Sequence, residues 1–234
     1  MACNTEPDSR YVIAIGAAAL DEYYTADTWP SEGGKAMVDY KEDMIGGMIP
    51  NAACVFAGYG VHTYLVDTLK NNSKKTDMIV SDLKAHGVKT GLLRYQDDIP
   101  DARTIIILTH RERTILVVEP HKPLLDIKAC ELDIFRKASY IYTTPVELKN
   151  IRNYMEFVDD MKNHHVKLAF DIEASTVDAC DKELIYKGDV LFFNEFGFEK
   201  IKGNRGEEEA FSEMFENGVE IATITLGEKG SFTA

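Results

Sequence analysis

Short apolar runs alternate with segments of helical periodicity along most of this chain, and that alternation restricts it to few architectures. The stretches YVIAIG (11–16), VHTYLV (61–66), KTGLLRY (89–95), ASYIYTT (138–144), VKLAFDI (166–172), DVLFFN (189–194) and EIATITLG (220–227) read as strands. Between them, KTDMIVSDLKAHG (75–87, closed by Gly87), the region 146–164 and GEEEAFSEMFENG (206–218) read as helices. Leu148, Ile151, Met155 and Val158 have the spacing of one core-facing helical stripe. Strands joined by helices of this length predict a doubly wound α/β fold: a mostly parallel sheet, helices on both faces, ligands at the carboxyl ends of the strands.

Two segments depart from the alternation. Residues 21–44 read as two short strands, DEYYTADTW and KAMVDY, around the turn PSEGG. Residues 102–109 and 113–120 read as a hairpin about the polar HRE. The predicted organisation is therefore an α/β domain from 10–20, 48–101 and 121–234, with a small β element from 21–47 and 102–120. The first nine residues, MACNTEPDS, are polar and predicted to be loose.

With 234 residues and 45% hydrophobic content the chain can bury a sizeable core. Its formal charge of −13 argues against nucleic-acid and anionic-membrane partners, whose phosphates it would repel. Cys3, Cys54, Cys130 and Cys180 are far apart with no CxxC pair, the pattern of free thiols in a reducing cytoplasm. No apolar run approaches a membrane span. GAAALD after the first strand has too few glycines for a dinucleotide fingerprint, and GxxxxGK[ST], HExxH and GxSxG are absent.

What remains is a set of polar residues at predicted strand ends: Asp21, Thr143 with Thr144, Asp171, Asn194 with Glu195, and Thr225 with Gly227. Gly46, Gly47 and Asn51 stand at the start of the helix that opens with MIGGMIPNAACVFAGYG, where Pro50 suits a first turn. Singly, each has a structural explanation as a cap or turn residue. Two adjacent glycines sacrifice backbone order, so close approach or motion must require them.

The diglycine segment resembles the N-terminal signature of the ribokinase-like (PfkB) carbohydrate kinases, with Gly46, Gly47, Asn51, Ala53 and Gly60 in the motif's places. VIAIGAAALD resembles the family's opening strand with its substrate-binding Asp. TWPSEGGKAMVDYKEDMIGG resembles the lid, FFNEFGFEKI the segment bearing an Asn near metal and phosphates, and TITLGEKGSF the nucleotide-side strand and turn. The resemblance implies a ribokinase-like fold whose β lid closes over a small sugar, the diglycine serving as hinge, and transfer of the γ-phosphoryl of ATP to a hydroxyl with Mg²⁺ on the phosphates. Carried over residue by residue, it implies substrate binding by Asp21, Gly46, Gly47, Asn51 and Thr143, nucleotide binding by Asn194, Thr225 and Gly227, and a metal contact by Glu195. Independently of the resemblance, the cysteine pattern predicts a cytoplasmic location, and an exposed face or edge of the small sheet formed by 21–47 and 102–120 predicts a homodimer through the lid.

The departures are specific. The family's NxxE becomes Asn194-Glu195-Phe196-Gly197, leaving Glu195 or Glu199 as the carboxylate, and the sugar-contacting Glu at the mid-chain strand end becomes Thr143, which disfavours ribose. The family's glycine-and-aspartate loop is replaced by DTLKNNSKKTD. The GAGD segment carrying the general base does not occur in the 234 residues, so no catalytic residue is assigned and the chain is expected to be a C-terminally incomplete kinase. Such a base is worth about 10²- to 10⁴-fold in rate. A nucleoside kinase of the same fold and a non-catalytic sugar-binding relative are the alternatives.

Overall fold

A computed structural model describes residues 10–110, 112–118 and 121–234. The loose N-terminal segment, Cys3, the Arg111 of the hairpin turn and the end of its second strand at 119–120 therefore lie outside the described residues. In chain order the first elements are β1 (Tyr11–Ile15), β2 (Ala19–Thr25), β3 (Asp39–Gly46), α1 (Met48–Gly58), β4 (His62–Val66), β5 (Thr68–Lys70), α2 (Lys74–Ala85), β6 (Arg94–Gln96), β7 (Arg103–Leu108) and β8 (Arg113–Val118). There follow α3 (Ala129–Arg136), β9 (Tyr140–Thr143), α4 (Pro145–Lys149), α5 (Tyr154–Asn163), β10 (Lys167–Ile172), α6 (Ala174–Ala179) and α7 (Lys182–Ile185). The last are β11 (Val190–Asn194), α8 (Glu195–Lys202), α9 (Glu207–Glu216), β12 (Ile221–Thr225) and β13 (Ser231–Thr233).

Two compact units are formed. Unit 1 comprises residues 10–15, Gly60–Tyr64 and Pro123–Ala234; unit 2 comprises Gly16–Tyr59 and Leu65–Lys122. Unit 1 holds a sheet of order β13-β12-β11-β10-β9-β1-β4, in which β1, β9, β10, β11 and β12 run parallel and β13 is an antiparallel edge. Ile13, Ala14 and Ile15 of β1 and Leu168, Ala169 and Phe170 of β10 are all buried. Successive strand side chains point to opposite faces, so both faces are covered, which is why these runs are continuously apolar. This is the α/β architecture that the alternation predicts.

Asp189 fastens this sheet from a buried position before β11. Its carboxylate accepts the Leu168 N–H at 2.7 Å and pairs with Lys162 at 3.0 Å and Lys167 at 3.5 Å.

Unit 2 contains a four-stranded sheet of order β3-β2-β7-β8. β2 and β7 are parallel, and their outer neighbours β3 and β8 are antiparallel to them. Glu22 of β2 is buried on the face of α2, where it takes Lys75 at 2.5 Å and Arg103 of β7 at 3.6 Å. The hydrogen bond from Lys75 is the main reason that its carboxyl titrates below the ordinary range.

Several predicted elements differ in extent. The helix expected over 146–164 is two helices, because the backbone at 150–152 bonds instead to Leu125: the Leu125 N–H donates to Asn150 and the Arg152 N–H to Leu125. Asn153 restarts the helix from a left-handed conformation, φ 55°. The apolar stripe consequently ends in Phe157, Val158 and Met161, and Met155 is half-buried. Of the strand expected over 89–95 only the end is strand, within Arg94–Gln96, since Gly91 and Leu92 make a turn closed by the Leu93 N–H to the Thr90 carbonyl. The strand before the diglycine is Asp39–Gly46 rather than 35–40, and α3 and α8 were not anticipated. Replacing Asp189 by Ala is expected to lower stability by about 1.5–3 kcal/mol, the usual worth of hydrogen bonds to a charged group. Urea denaturation measures it, with β10 exchanging its amides faster.

Candidate functional site

In unit 2 the residues converge through strand register. Asp21 is not in a loop after β1: the chain turns at Ala17 and Ala18 and re-enters a strand at Ala19, so Asp21 lies within β2, opposite Met44 of β3 and Thr104 of β7. Cross-strand partners share a sheet face, and the Thr104 hydroxyl donates to the Asp21 carboxylate. Burial pushes the Asp21 carboxyl up, and the Thr104 hydrogen bond offsets only part of that.

Ala19 pairs with Gly46, and there the carboxylate of Asp21 occupies the space that a Cβ at position 46 would fill. Gly47 is the N-cap of α1 at φ 112°, and a Cβ on it would strike the carbonyl oxygen of Ala17. The two glycines thus have separate causes. The first makes room for a carboxylate; the second lets two backbone segments touch in a left-handed conformation that L side chains rarely adopt.

Asn51 follows in the first turn of α1, its N–H bonded to the Gly47 carbonyl at 3.0 Å and its side chain exposed. It lines an open recess of about 1050 Å³ with residues of α1, α2 and Asp43, Met44 and Ile45 of β3. Because three consecutive strand residues touch it, the recess runs along the outer edge of β3.

In unit 1 the polar residues collect at the carboxyl ends of β9, β11 and β12. Thr143 is fully buried and its hydroxyl donates to the Ile15 carbonyl at 2.7 Å. It is thereby committed to β1, and the expected sugar contact through this hydroxyl does not fit. Thr144 caps α4, accepting the Glu147 N–H at 3.0 Å. Asp171 takes the Tyr142 hydroxyl at 2.9 Å, and burial raises its carboxyl above the usual range.

Asn194 caps α8 through the Gly197 N–H at 2.7 Å and stands directly opposite Thr225 in the register of β11 and β12. The exposed Thr225 hydroxyl donates to the Phe193 carbonyl at 3.2 Å. Gly227 begins a tight turn at φ 59°, with open space where a Cβ would be. Glu195 and Glu199 are exposed on α8, and Glu199 is paired with Lys202 at 2.6 Å. Among the described residues no group of three or more His, Cys, Asp or Glu side chains could hold a metal. Cys54, Cys130 and Cys180 are free thiols.

The structure thus brings Asp21 and Gly46 into contact, sets Gly47 and Asn51 one turn apart on α1, and pairs Asn194 with Thr225. Thr104 escaped the sequence reading because only the long-range pairing of β2 with β7 makes it a partner of Asp21. No helix among the described residues is long and apolar enough to cross a membrane.

Comparison with known proteins gives a family and a fold. Residues 9–234 match the pfkB family carbohydrate kinase profile. Among curated proteins, none matches the chain. Solved structures similar to it include Arabidopsis thaliana ribokinase complexed with ribose and ATP (20% identity, TM-score 0.78, 97% of this chain and 75% of that one). Others are the ribokinase of Thermotoga maritima (16%, TM-score 0.79, 96% and 74%) and the fructokinase of Halothermothrix orenii (15%, TM-score 0.77, 96% and 82%). Gly46→Ala should destabilise the wild-type chain but cost little in an Asp21→Ala background, a coupling of about 0.5–3 kcal/mol. A double-mutant cycle by urea denaturation reads it, and additive effects would refute the contact.

Proposed function

This chain belongs to the pfkB family of carbohydrate kinases, and from that premise we propose that it serves an ATP-dependent sugar kinase, transferring the γ-phosphoryl group to a hydroxyl of a small carbohydrate. The observation that carries this reading is the Asp21 carboxylate held against Gly46. A half-exposed carboxylate with Thr104 on one of its acceptor sites keeps others for hydroxyl donors, and Gly46, by lacking a side chain, leaves the carboxylate its place. Asn51 would add an amide to the hydroxyl-binding set. Thr143 is left out of that set because it is buried.

For the nucleotide, the proposed holders are Thr225, the open turn at Gly227 and the start of α8 at Asn194. Backbone amides at such a turn suit phosphate oxygens, and the helix N-terminus adds a partial positive charge. Mg²⁺ normally keeps several waters and binds through substrate phosphates plus one or two carboxylates, so an exposed Glu195 at the first turn of α8 fits as its protein contact. When bound, the ion would neutralise charge developing on the phosphates. The contribution of the chain's own residues is positioning: Asp21 and Asn51 orient the acceptor hydroxyl, Thr225 and Gly227 the donor. We assign no described residue the general-base role.

The β2–β3 and β7–β8 strands are proposed to act as a lid, and Ile115, Leu116 and Val117 of β8, all exposed, as its contact with a second copy. A cytoplasmic location accords with the free thiols. Light scattering at concentrations well above micromolar should show a dimer; a monomer there would count against the lid contact.

A panel of sugars and nucleosides with ATP identifies the substrate. Asp21→Ala should then weaken its binding by about 1.5–3 kcal/mol, with little change in melting temperature. Affinity should also fall on acidification at a pH above the ordinary carboxylate range, since the raised Asp21 carboxyl loses its charge early. Unchanged affinity with a strongly lowered melting temperature would make Asp21 a structural residue.

A further inference from the structure

Asp67, just beyond β4, is buried, and the proposed chemistry gives it no role. Its Oδ2 accepts the Ala18 N–H at 2.9 Å; its Oδ1 accepts the Thr68 N–H at 2.7 Å and Lys122 Nζ at 2.5 Å. The side chains of Asp67 and Lys122 are 6% and 17% exposed. Desolvation pushes the Asp67 carboxyl up to about 6, against the opposing pull of Lys122 and the two amides. A buried ion pair often adds no more stability than an apolar pair of the same volume, so what this one does must be sought in what it joins.

Its partners share a location. Ala18 lies where the chain passes into the four-stranded sheet, between β1 and β2, and Lys122 lies where the chain leaves it, beyond β8. The chain's entry into that sheet and a residue beyond its exit are therefore fastened to one carboxylate. A backbone bond runs beside it, from the Gly16 N–H to the Val66 carbonyl at 3.2 Å. The fastened segment is also the one that matters for the site: the Ala17 carbonyl is what a Cβ on Gly47 would strike, and β2 carries Asp21 shortly after Ala18.

We propose that Asp67 and Lys122 are a positioning pair, which fixes where the chain enters the four-stranded sheet and where it passes on from it and, through Ala18, fixes where the Asp21 carboxylate stands against Gly46. Its bearing on substrate rests on the reading that Asp21 holds a sugar. Removing either charge frees the 16–18 segment, and with it the start of β2, while the sheet of unit 1 keeps its own hydrogen bonds.

The test is amide exchange by mass spectrometry on the full chain with Asp67→Asn, Lys122→Met and Lys122→Arg. Asp67→Asn and Lys122→Met should speed exchange in β2 and β8 at least tenfold and leave β10 and β11 unchanged, and Lys122→Arg, which keeps the cation, should resemble wild type. Uniform acceleration across both units, or none, overturns the proposal. Calorimetry with ribose and fructose as probes supplies the second arm, in which Asp67→Asn should weaken binding at least tenfold, as is expected of Asp21→Ala. Equal affinity of Asp67→Asn and wild type would overturn the positioning role. If wild type binds neither of these nor any sugar of the panel, the sugar reading fails, and the exchange result alone decides whether the pair anchors the sheet.

Discussion

Two backbone segments, 16–18 and 46–47, pass one another with no room for a side chain on Gly47, and the placement of Asp21, Gly46 and Asn51 follows from that approach. Gly47 supplies a φ of 112° that few other residues tolerate, which lets β3 end and α1 begin within one residue. Helix α1 then carries Asn51 in its first turn. The same approach sends the chain from Ala18 directly into β2, so the carboxylate of Asp21 is presented from a strand. A side chain on a strand is held by pairing on both sides, a firmer mount than a loop gives.

The charges inside the protein follow one rule despite the strong acidic excess. Asp67, Asp189 and Glu22 are buried, and each is met by at least one ammonium or guanidinium group and by hydrogen-bond donors. An unpaired carboxylate in such a place would cost several kcal/mol, so these pairings decide which acids can be inside at all. Asp21 differs from them. It is only partly buried, and its described hydrogen-bond partner is a neutral hydroxyl.

The α/β architecture was legible because a parallel sheet covered on both faces demands continuous apolar strands, and YVIAIG, VKLAFDI and DVLFFN have no other simple reading. What was not legible depends on contacts distant in sequence. Leu125 captures the backbone at 150–152 and breaks a helix whose periodicity continues across the gap. At the candidate site, the diglycine and Asp21 could be singled out by motif, yet their mutual contact needs the register of β2 with β3. Thr143 shows the converse. Its position at a strand end was read correctly, but whether its hydroxyl faces ligand or the neighbouring strand is decided by packing, and it faces Ile15.

The contact between Asp21 and Gly46 also orders the paths by which the sequence can change. A side chain gained at position 46 while the carboxylate is present must displace it, so that step is costly as long as residue 21 is unaltered. Loss of the carboxylate opens it. Once an alanine or larger residue has settled at 46, restoring aspartate at 21 becomes the obstructed step, because its carboxylate would then meet a filled space. The two positions therefore change in a fixed order: 21 before 46 on leaving this arrangement, and 46 before 21 on returning to it.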